Sequence, residues 1–202
     1  MEHLVAGVLA GGGSRRYGRD KAFVRWKGRP LIEHALLSVS RIADESYILS
    51  KEPEKFAHLP WTVIPDITAT PTPMSGIITV SSFVRQWLLV AACDILVLDP
   101  GFLRAMWEAR EPGKAVIPRT ERGLQPLLAI YPAELLGQWE RAFARGNFKL
   151  RPVAASLPRV EVDPAAYSRS RVEVRGYRGA AGGEEPAVGK EIAAGDEIAA
   201  GE

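Results

Sequence analysis

The segment LAGGGSRRYGRDK, Leu9 to Lys21, has the residue types of a phosphate-binding loop. Gly11, Gly12 and Gly13 let backbone N–H groups approach a polyphosphate closely. Ser14 closes the glycine run, and Arg15, Arg16 and Lys21 supply positive charge without crowding the loop base. The segment is not a P-loop, because Gly18-Arg19-Asp20 lacks the terminal Gly-Lys-Ser or Gly-Lys-Thr. Nor is it a dinucleotide fingerprint, because Arg16 stands where one starting at Gly11 needs glycine. The alternative is a tight glycine turn carrying solvated arginines. A second candidate is Asp94, delivered by the apolar run WLLVAACD to the carboxyl end of its own strand. That edge is where ligands bind in open α/β sheets, and a hard oxygen ligand there suits Mg2+, which takes one or two carboxylates plus phosphates and water. Asp94 could instead form a turn ahead of Asp99-Pro100. Asp66 ends a similar run, WTVIPD. Being acceptor-only, it could bind ribose hydroxyls or guanine N–H groups, or it could serve a turn.

Other reactive residue types lack partners. Cys93 is the only cysteine, which excludes an intrachain disulfide and the usual zinc spacings, and no base is marked for it as a nucleophile. It reads as a small buried residue. His3, His34 and His58 show no metal-ligand spacing. Lys and Arg number 26 against 24 Asp and Glu, a net charge of +2 with no long basic block, so a nucleic-acid partner is not expected. The partner should be small and anionic. The apolar run from Leu4 to Ala10 is too short for a signal h-region or a membrane span, which leads to the expectation of a cytoplasmic protein with no membrane partner.

The elements that must position these residues follow from periodicity. Short β-branched or apolar runs alternate with segments of helical period, which predicts an α/β fold with a mostly parallel sheet and helices on both faces. Strands are predicted at Leu4–Leu9, Ser46–Leu49, Thr62–Ile64, Trp87–Ala91, Ala115–Ile117, Leu127–Tyr131 and Val160–Val162. The run at Trp87 is so continuously apolar that both its faces should be covered. Leu31, Ala35, Leu36, Val39 and Ile42 share one face of a helix opened by Pro30. Asp99 is the expected N-cap of a helix carrying Leu103, Met106, Trp107 and Arg110. Pro132 opens a third helix, with Leu135, Leu136, Trp139 and Phe143, ending near Gly146-Asn147. Met74 to Val84 has strand-like composition but poor alternation, and the preceding Pro73 favours a helix. The tryptophans in these elements read as core.

A chain of 202 residues, 47% hydrophobic and 25% charged, suits one domain with an appendage. Residues 1–165 form the expected domain, which at this size buries about two-thirds of its unfolded-chain surface. Residues 166–202 are dominated by Arg, Gly, Ala and Glu and close with EIAAGD followed by EIAAGE. Two repeats do not build a solenoid, so a mobile tail is expected, with a small hairpin as the alternative.

Three segments together, LAGGGSRRYGRDK, TPMSGI at Thr72 to Ile77 and ACD at Ala92 to Asp94, resemble in order and spacing the landmarks of the molybdenum cofactor guanylyltransferases, the MobA-like nucleotidyltransferases. GLQPLLAIYP, Gly123 to Pro132, is similar to a later strand of that family, so the resemblance spans about the first 150 residues. It implies a Rossmann-like nucleotidyltransferase fold and a reaction of GTP with molybdopterin that gives the guanine dinucleotide cofactor and pyrophosphate. By motif, Leu9, Ala10 and Gly11 would touch the guanine nucleotide, Lys21 its phosphates, Asp66 the nucleoside and Asp94 the Mg2+. Ser50 falls where many relatives carry a base-holding asparagine. Gly12 in LAGG favours GTP over CTP, since related cytidylyltransferases look more like LAAG. Tyr17, Thr72 and Leu96 depart from the family's usual methionine, glycine and proline. The asparagine-rich N-x-N-T-P-E loop has no counterpart after Tyr167.

The implied chemistry uses Arg16, Lys21 and Asp94 as catalytic groups, with proteins of molybdenum cofactor biosynthesis or acceptance as further partners. Two alternatives are a nucleotidylyltransferase for another acceptor, using CTP or a sugar or alcohol phosphate, and a non-catalytic nucleotide-binding adaptor.

Overall fold

Side-chain alternation along LVAGVL sets the layering: Leu4, Ala6 and Val8 enter one apolar core, while Val5 and Leu9 enter another on the opposite face. The computed structural model describes residues 2–11, 20–95 and 99–166. The element order is β1 (Leu4–Leu9), a 3₁₀ turn (Lys21–Phe23), β2 (Arg25–Trp26), β3 (Arg29–Pro30), α1 (Leu31–Val39), β4 (Glu45–Ser50), a second 3₁₀ turn (Pro53–Phe56) and β5 (Val63–Pro65). Then come α2 (Met74–Ser81), β6 (Trp87–Ala92), α3 (Pro100–Glu108), β7 (Ala115–Thr120), β8 (Gly123–Leu124) and β9 (Leu128–Pro132). The described chain ends with α4 (Ala133–Ala144), α5 (Leu150–Ser156) and β10 (Arg159–Val162), followed by a short 3₁₀ turn.

The main sheet runs β10-β7-β9-β6-β1-β4-β5, with β8 paired to β7 off this path. β1 lies parallel to both β4 and β6, β4 is parallel to β5, and only β8 and β9 run against the rest. The mostly parallel α/β fold expected from the sequence is the one observed. From central β1 the chain steps outward to β4 and β5, then returns to place β6 on the other side of β1. The strand order therefore reverses between β1 and β6, where open α/β sheets form a ligand crevice at their carboxyl edge.

Both faces of β6 are covered, as its unbroken apolar run requires. Trp87, Leu89 and Ala91 pack with α1 and α3, while Leu88 and Val90 pack with α2, α4 and α5. α2 approaches the sheet closely because position 76 is glycine: a methyl group there would fall 2.2 Å from Leu9 Cδ2 and 3.4 Å from Leu49 Cβ. Trp139 is fully buried, edge-on to Tyr131 at 5.4 Å, and the Tyr131 hydroxyl donates to the Pro126 carbonyl at 2.8 Å.

Helix 74–81 forms despite its β-branched composition, because Met74, Ile77, Ile78 and Val80 all meet the sheet and tertiary burial outweighs propensity. Asp99 caps α3, its carboxylate accepting from the N–H groups of Gly101 and Phe102. α1 and α3 stop short of two residues assigned to them by periodicity. Ile42 lies past the end of α1, and Arg110 lies past α3, where it stacks 3.7 Å from the Trp107 ring centroid and pairs with Glu2. α5, β8 and the β2–β3 hairpin were not expected. The hairpin turns through Lys27 and Gly28, both at positive φ, and Pro152 falls in the first turn of α5, where no N–H is needed. The 166–202 appendage and its hairpin alternative fall outside the described residues beyond Ala166.

Candidate active site

Four strand ends meet at one edge of the sheet. Beyond β1, Ala10 donates its N–H to Leu49 O at 2.9 Å, and Cys93 donates its own to Leu9 O at 3.1 Å. Pairing to both neighbours thus continues past the last strand residue and fixes where β1 opens into the glycine segment. Gly11 follows at φ +124°, a backbone conformation that side-chain-bearing residues rarely adopt, and a methyl group on it would lie 3.4 Å from Ser50 Oγ. Ser50 ends β4 beneath that bend, 2% exposed, its hydroxyl accepting from Glu52 N. Asp66 follows β5, and its N–H donates to Ser50 O at 3.0 Å. Leu9, Ala10, Gly11, Ser50 and Asp66 are therefore successive neighbours along the edge. Gly12, Gly13, Ser14, Arg15 and Arg16 lie outside the described residues.

Lys21 re-enters this edge from the far side of the glycine segment. Asp20 accepts from Ala22 N at 3.1 Å, capping the 3₁₀ turn, and Ala22 is fully buried in the core. Phe23 stacks on Phe56 with ring centroids 5.1 Å apart, tying the turn to the β4–β5 connection. So anchored, Lys21 places its Nζ 3.4 Å from Asp94 Oδ2, each side chain 27% exposed. Asp94 sits in a turn closed by Ile95 N donating to Ala92 O, and its neighbour Cys93 is buried. Burial pushes the Cys93 thiol well above its usual range, with the nearby Asp94 carboxylate adding to the effect. A thiol so held is no nucleophile, and its packing instead fixes the turn that carries Asp94.

Residues 6–161 match the model of the MobA-like NTP transferase domain. The chain belongs to the MobA-like NTP transferase family. It is 37% identical over 164 residues to a molybdenum cofactor guanylyltransferase of Pseudomonas syringae pv. tomato, covering 74% of this chain and 81% of that relative. A probable molybdenum cofactor guanylyltransferase of Deinococcus radiodurans is 31% identical over 157 residues, covering 76% and 80%. The crystal structure of molybdopterin-guanine dinucleotide biosynthesis protein A from Archaeoglobus fulgidus superposes with a TM-score of 0.67 at 28% identity, covering 79% of this chain and 83% of that one. The chain is accordingly a nucleotidyltransferase with the fold of that class. No helix among its described residues is long and apolar enough to cross a membrane.

In this MobA-like NTP transferase the carboxylate beside Lys21 in the turn after β6 is that of Asp94. Among the described residues no group of three or more His, Cys, Asp or Glu could hold a metal ion. A carboxylate such as Asp94 beside a phosphate site suits Mg2+, which fills its shell with phosphate oxygens and water around one or two carboxylates.

Asp66 presents an unmatched acceptor. Among the described residues its buried Oδ1 has no hydrogen-bond partner, and burial raises its carboxyl above the ordinary 3.8 although Lys51 opposes the shift. An acceptor oxygen in this state is costly to leave unmatched and suits a ligand N–H or O–H. Lys51 was not singled out from the sequence, and no spacing marks it. Its Nζ donates to Thr68 O and Ala69 O, shaping the loop after Asp66. Ile67 N donates to Thr79 Oγ1, and the Thr68 hydroxyl donates to Ser75 Oγ, which tie the same loop to α2.

Because the native Asp66 pKa lies above the unfolded value, the native state loses stability as pH rises from about the ordinary carboxylate value through the raised one. Asp66→Asn should therefore melt higher than the wild type at neutral pH, with the gap closing on acidification below 3.8. On the function proposed below, the same variant should bind guanine nucleotide more weakly. Melting curves across pH, set beside nucleotide titrations, check both. A variant that melts lower at every pH would show that the carboxylate is structurally satisfied.

Proposed function

We propose that this MobA-like NTP transferase transfers GMP from GTP to the terminal phosphate of molybdopterin and releases pyrophosphate, with Mg2+ required. The observation carrying this reading is the convergence of the Gly11 bend, Ser50, Asp66 and the Lys21–Asp94 pair on one sheet edge at the strand-order reversal. The relatives' names, molybdenum cofactor guanylyltransferase, support this choice of nucleotide and acceptor.

In the reaction an oxygen of the acceptor phosphate attacks the α-phosphorus in line. The bond from that phosphorus to the β-bridging oxygen breaks, and its electron pair leaves with pyrophosphate. No covalent enzyme intermediate is needed, so the protein contributes positioning and charge stabilisation. Leu9, Ala10 and Gly11 bear on the nucleoside, and the sequence of Gly12, Gly13, Ser14 and Arg15 assigns them to nucleotide binding as well. Ser50 and the unmatched Asp66 oxygen take up hydrogen-bonding groups of base or ribose. Lys21 and Arg16 neutralise the leaving pyrophosphate, with Arg15 in support. Asp94 would hold Mg2+, which when bound supplies charge neutralisation at the α-phosphate oxygens. The rest of the work belongs to the chain's own residues.

The deciding experiment incubates the full chain with Mg2+, molybdopterin and either GTP or CTP, reading pyrophosphate and dinucleotide. Turnover with GTP is expected. Pyrophosphate release only with a different phosphate acceptor would favour a nucleotidylyltransferase for that acceptor. GTP binding without pyrophosphate release for any acceptor would reduce the protein to a nucleotide-binding adaptor.

A further inference from the structure

The loop that begins at Asp66 is held by polar ties. Ile67 is 68% exposed and Ala69 is exposed as well, so apolar packing does not fix this stretch. On one side α2 holds it: Ile67 N donates to Thr79 Oγ1 at 3.1 Å, and the Ser75 hydroxyl donates to Thr70 O at 2.8 Å. On the other side Lys51 reaches over from the end of β4, its Nζ donating to Thr68 O at 3.1 Å and to Ala69 O at 3.0 Å. Two successive carbonyls held beside one point crowd the negative ends of their dipoles together, and a cation placed there offsets the repulsion. Strand alternation brings Lys51 to this position. Ser50 is buried beneath the Gly11 bend, and the next residue along the extended chain is exposed. Among the described residues, Lys51 is the charged group that acts on the Asp66 carboxyl, opposing the rise that burial imposes.

We infer that Lys51 is a positioning residue for nucleotide binding, which holds the loop carrying Asp66 and supplies a positive charge near that carboxylate while leaving its Oδ1 open. The inference rests on the nucleotidyl-transfer reading above, in which Asp66 takes up a hydrogen-bonding group of base or ribose. A buried carboxylate oxygen is a strong acceptor only while the group is ionised and fixed in place. Both conditions call for a nearby cation. A cation paired directly with Oδ1 would occupy the acceptor that the ligand needs. Lys51 avoids this, because its hydrogen bonds go to the Thr68 and Ala69 carbonyls and Oδ1 stays unmatched. Lys51 therefore acts on the nucleotide through Asp66 and not by touching it. A neutral side chain could hold the carbonyls, but it would leave the carboxylate without its counter-charge.

Two variants of the full chain test this, Lys51→Met and Lys51→Arg, each first compared with the wild type by thermal melting. Lys51→Met keeps most of the stem and removes the ammonium. Its Kd for GTP in the presence of Mg2+ should rise about 10-fold, the loss expected when a charge-assisted hydrogen bond is removed, while the acceptor KM changes little. Lys51→Arg should restore most of the affinity. In an Asp66→Asn background Lys51→Met should cost little further GTP affinity, because residues that act through one another give non-additive losses. An unchanged Kd, an equal rise in acceptor KM, or an undiminished loss in the Asp66→Asn background would overturn the assignment. If the wild type binds no GTP, the functional reading has failed, and a measurement on the ligand-free protein decides the role of Lys51. The side-chain carboxyl carbon resonance of Asp66 is followed against pH. A midpoint that moves up in Lys51→Met and stays near wild type in Lys51→Arg would support the positioning role. A midpoint unmoved in Lys51→Met would sink it.

Discussion

Asp94→Ala is expected to lower the rate of pyrophosphate release by about 10²- to 10³-fold, the size of effect seen when one preorganised charge-stabilising group is removed from a transition state. The carboxylate is the only one in the Lys21-facing turn after β6, and among the described residues no acidic cluster stands ready to replace it. The fold should survive. The turn is closed by backbone hydrogen bonding and by the buried Cys93, and the lost ion pair is partly exposed, a setting in which such pairs contribute about 1 kcal/mol or less. Steady-state pyrophosphate assays and thermal melts on the same preparation test the two halves. Turnover within a few-fold of wild type would remove Asp94 from the metal assignment.

Lys21→Ala should reduce kcat/KM for the nucleotide by about 10²-fold, through loss of a charge-assisted contact to the phosphates together with the pairing to Asp94. The more telling measurement is the double variant. Residues that serve one transition state as a unit give grossly non-additive losses. Lys21→Ala combined with Asp94→Ala should therefore be little worse than Asp94→Ala alone. Multiplying losses would mean that the 3.4 Å contact is incidental and that the two groups act on different steps. Melting of the Lys21 variant should stay close to wild type, because Asp20 and the buried Ala22, not Lys21, hold the 3₁₀ turn.

Most of the scaffold was legible because its signals are local. The six-residue run at Leu4 and the cap at Asp99 act within one element, and both were found where periodicity put them. What composition could not supply was depth. Glycine at position 76 belonged to a segment identified by resemblance, and only the packing shows why a side chain there would collide with Leu9. Asp66, Asp94 and Lys21 were marked by type and by their place at strand ends or in the loop, but the Lys21–Asp94 contact joins residues 73 positions apart. Lys51 was invisible because it is an ordinary polar residue in sequence and matters through the Thr68 and Ala69 carbonyls that the fold brings to it. α5 escaped because it is seven residues long with a proline inside, which periodicity reads as a break.

The mutual contact of Lys21 and Asp94 has a thermodynamic corollary. In the empty enzyme each charge already has a counter-ion, so admitting either ligand alone strands the displaced partner. When a triphosphate arrives together with a divalent cation, ammonium and carboxylate can swap partners at one moment, with little change in net local charge. Nucleotide and cation should then each raise the other's affinity by the same factor.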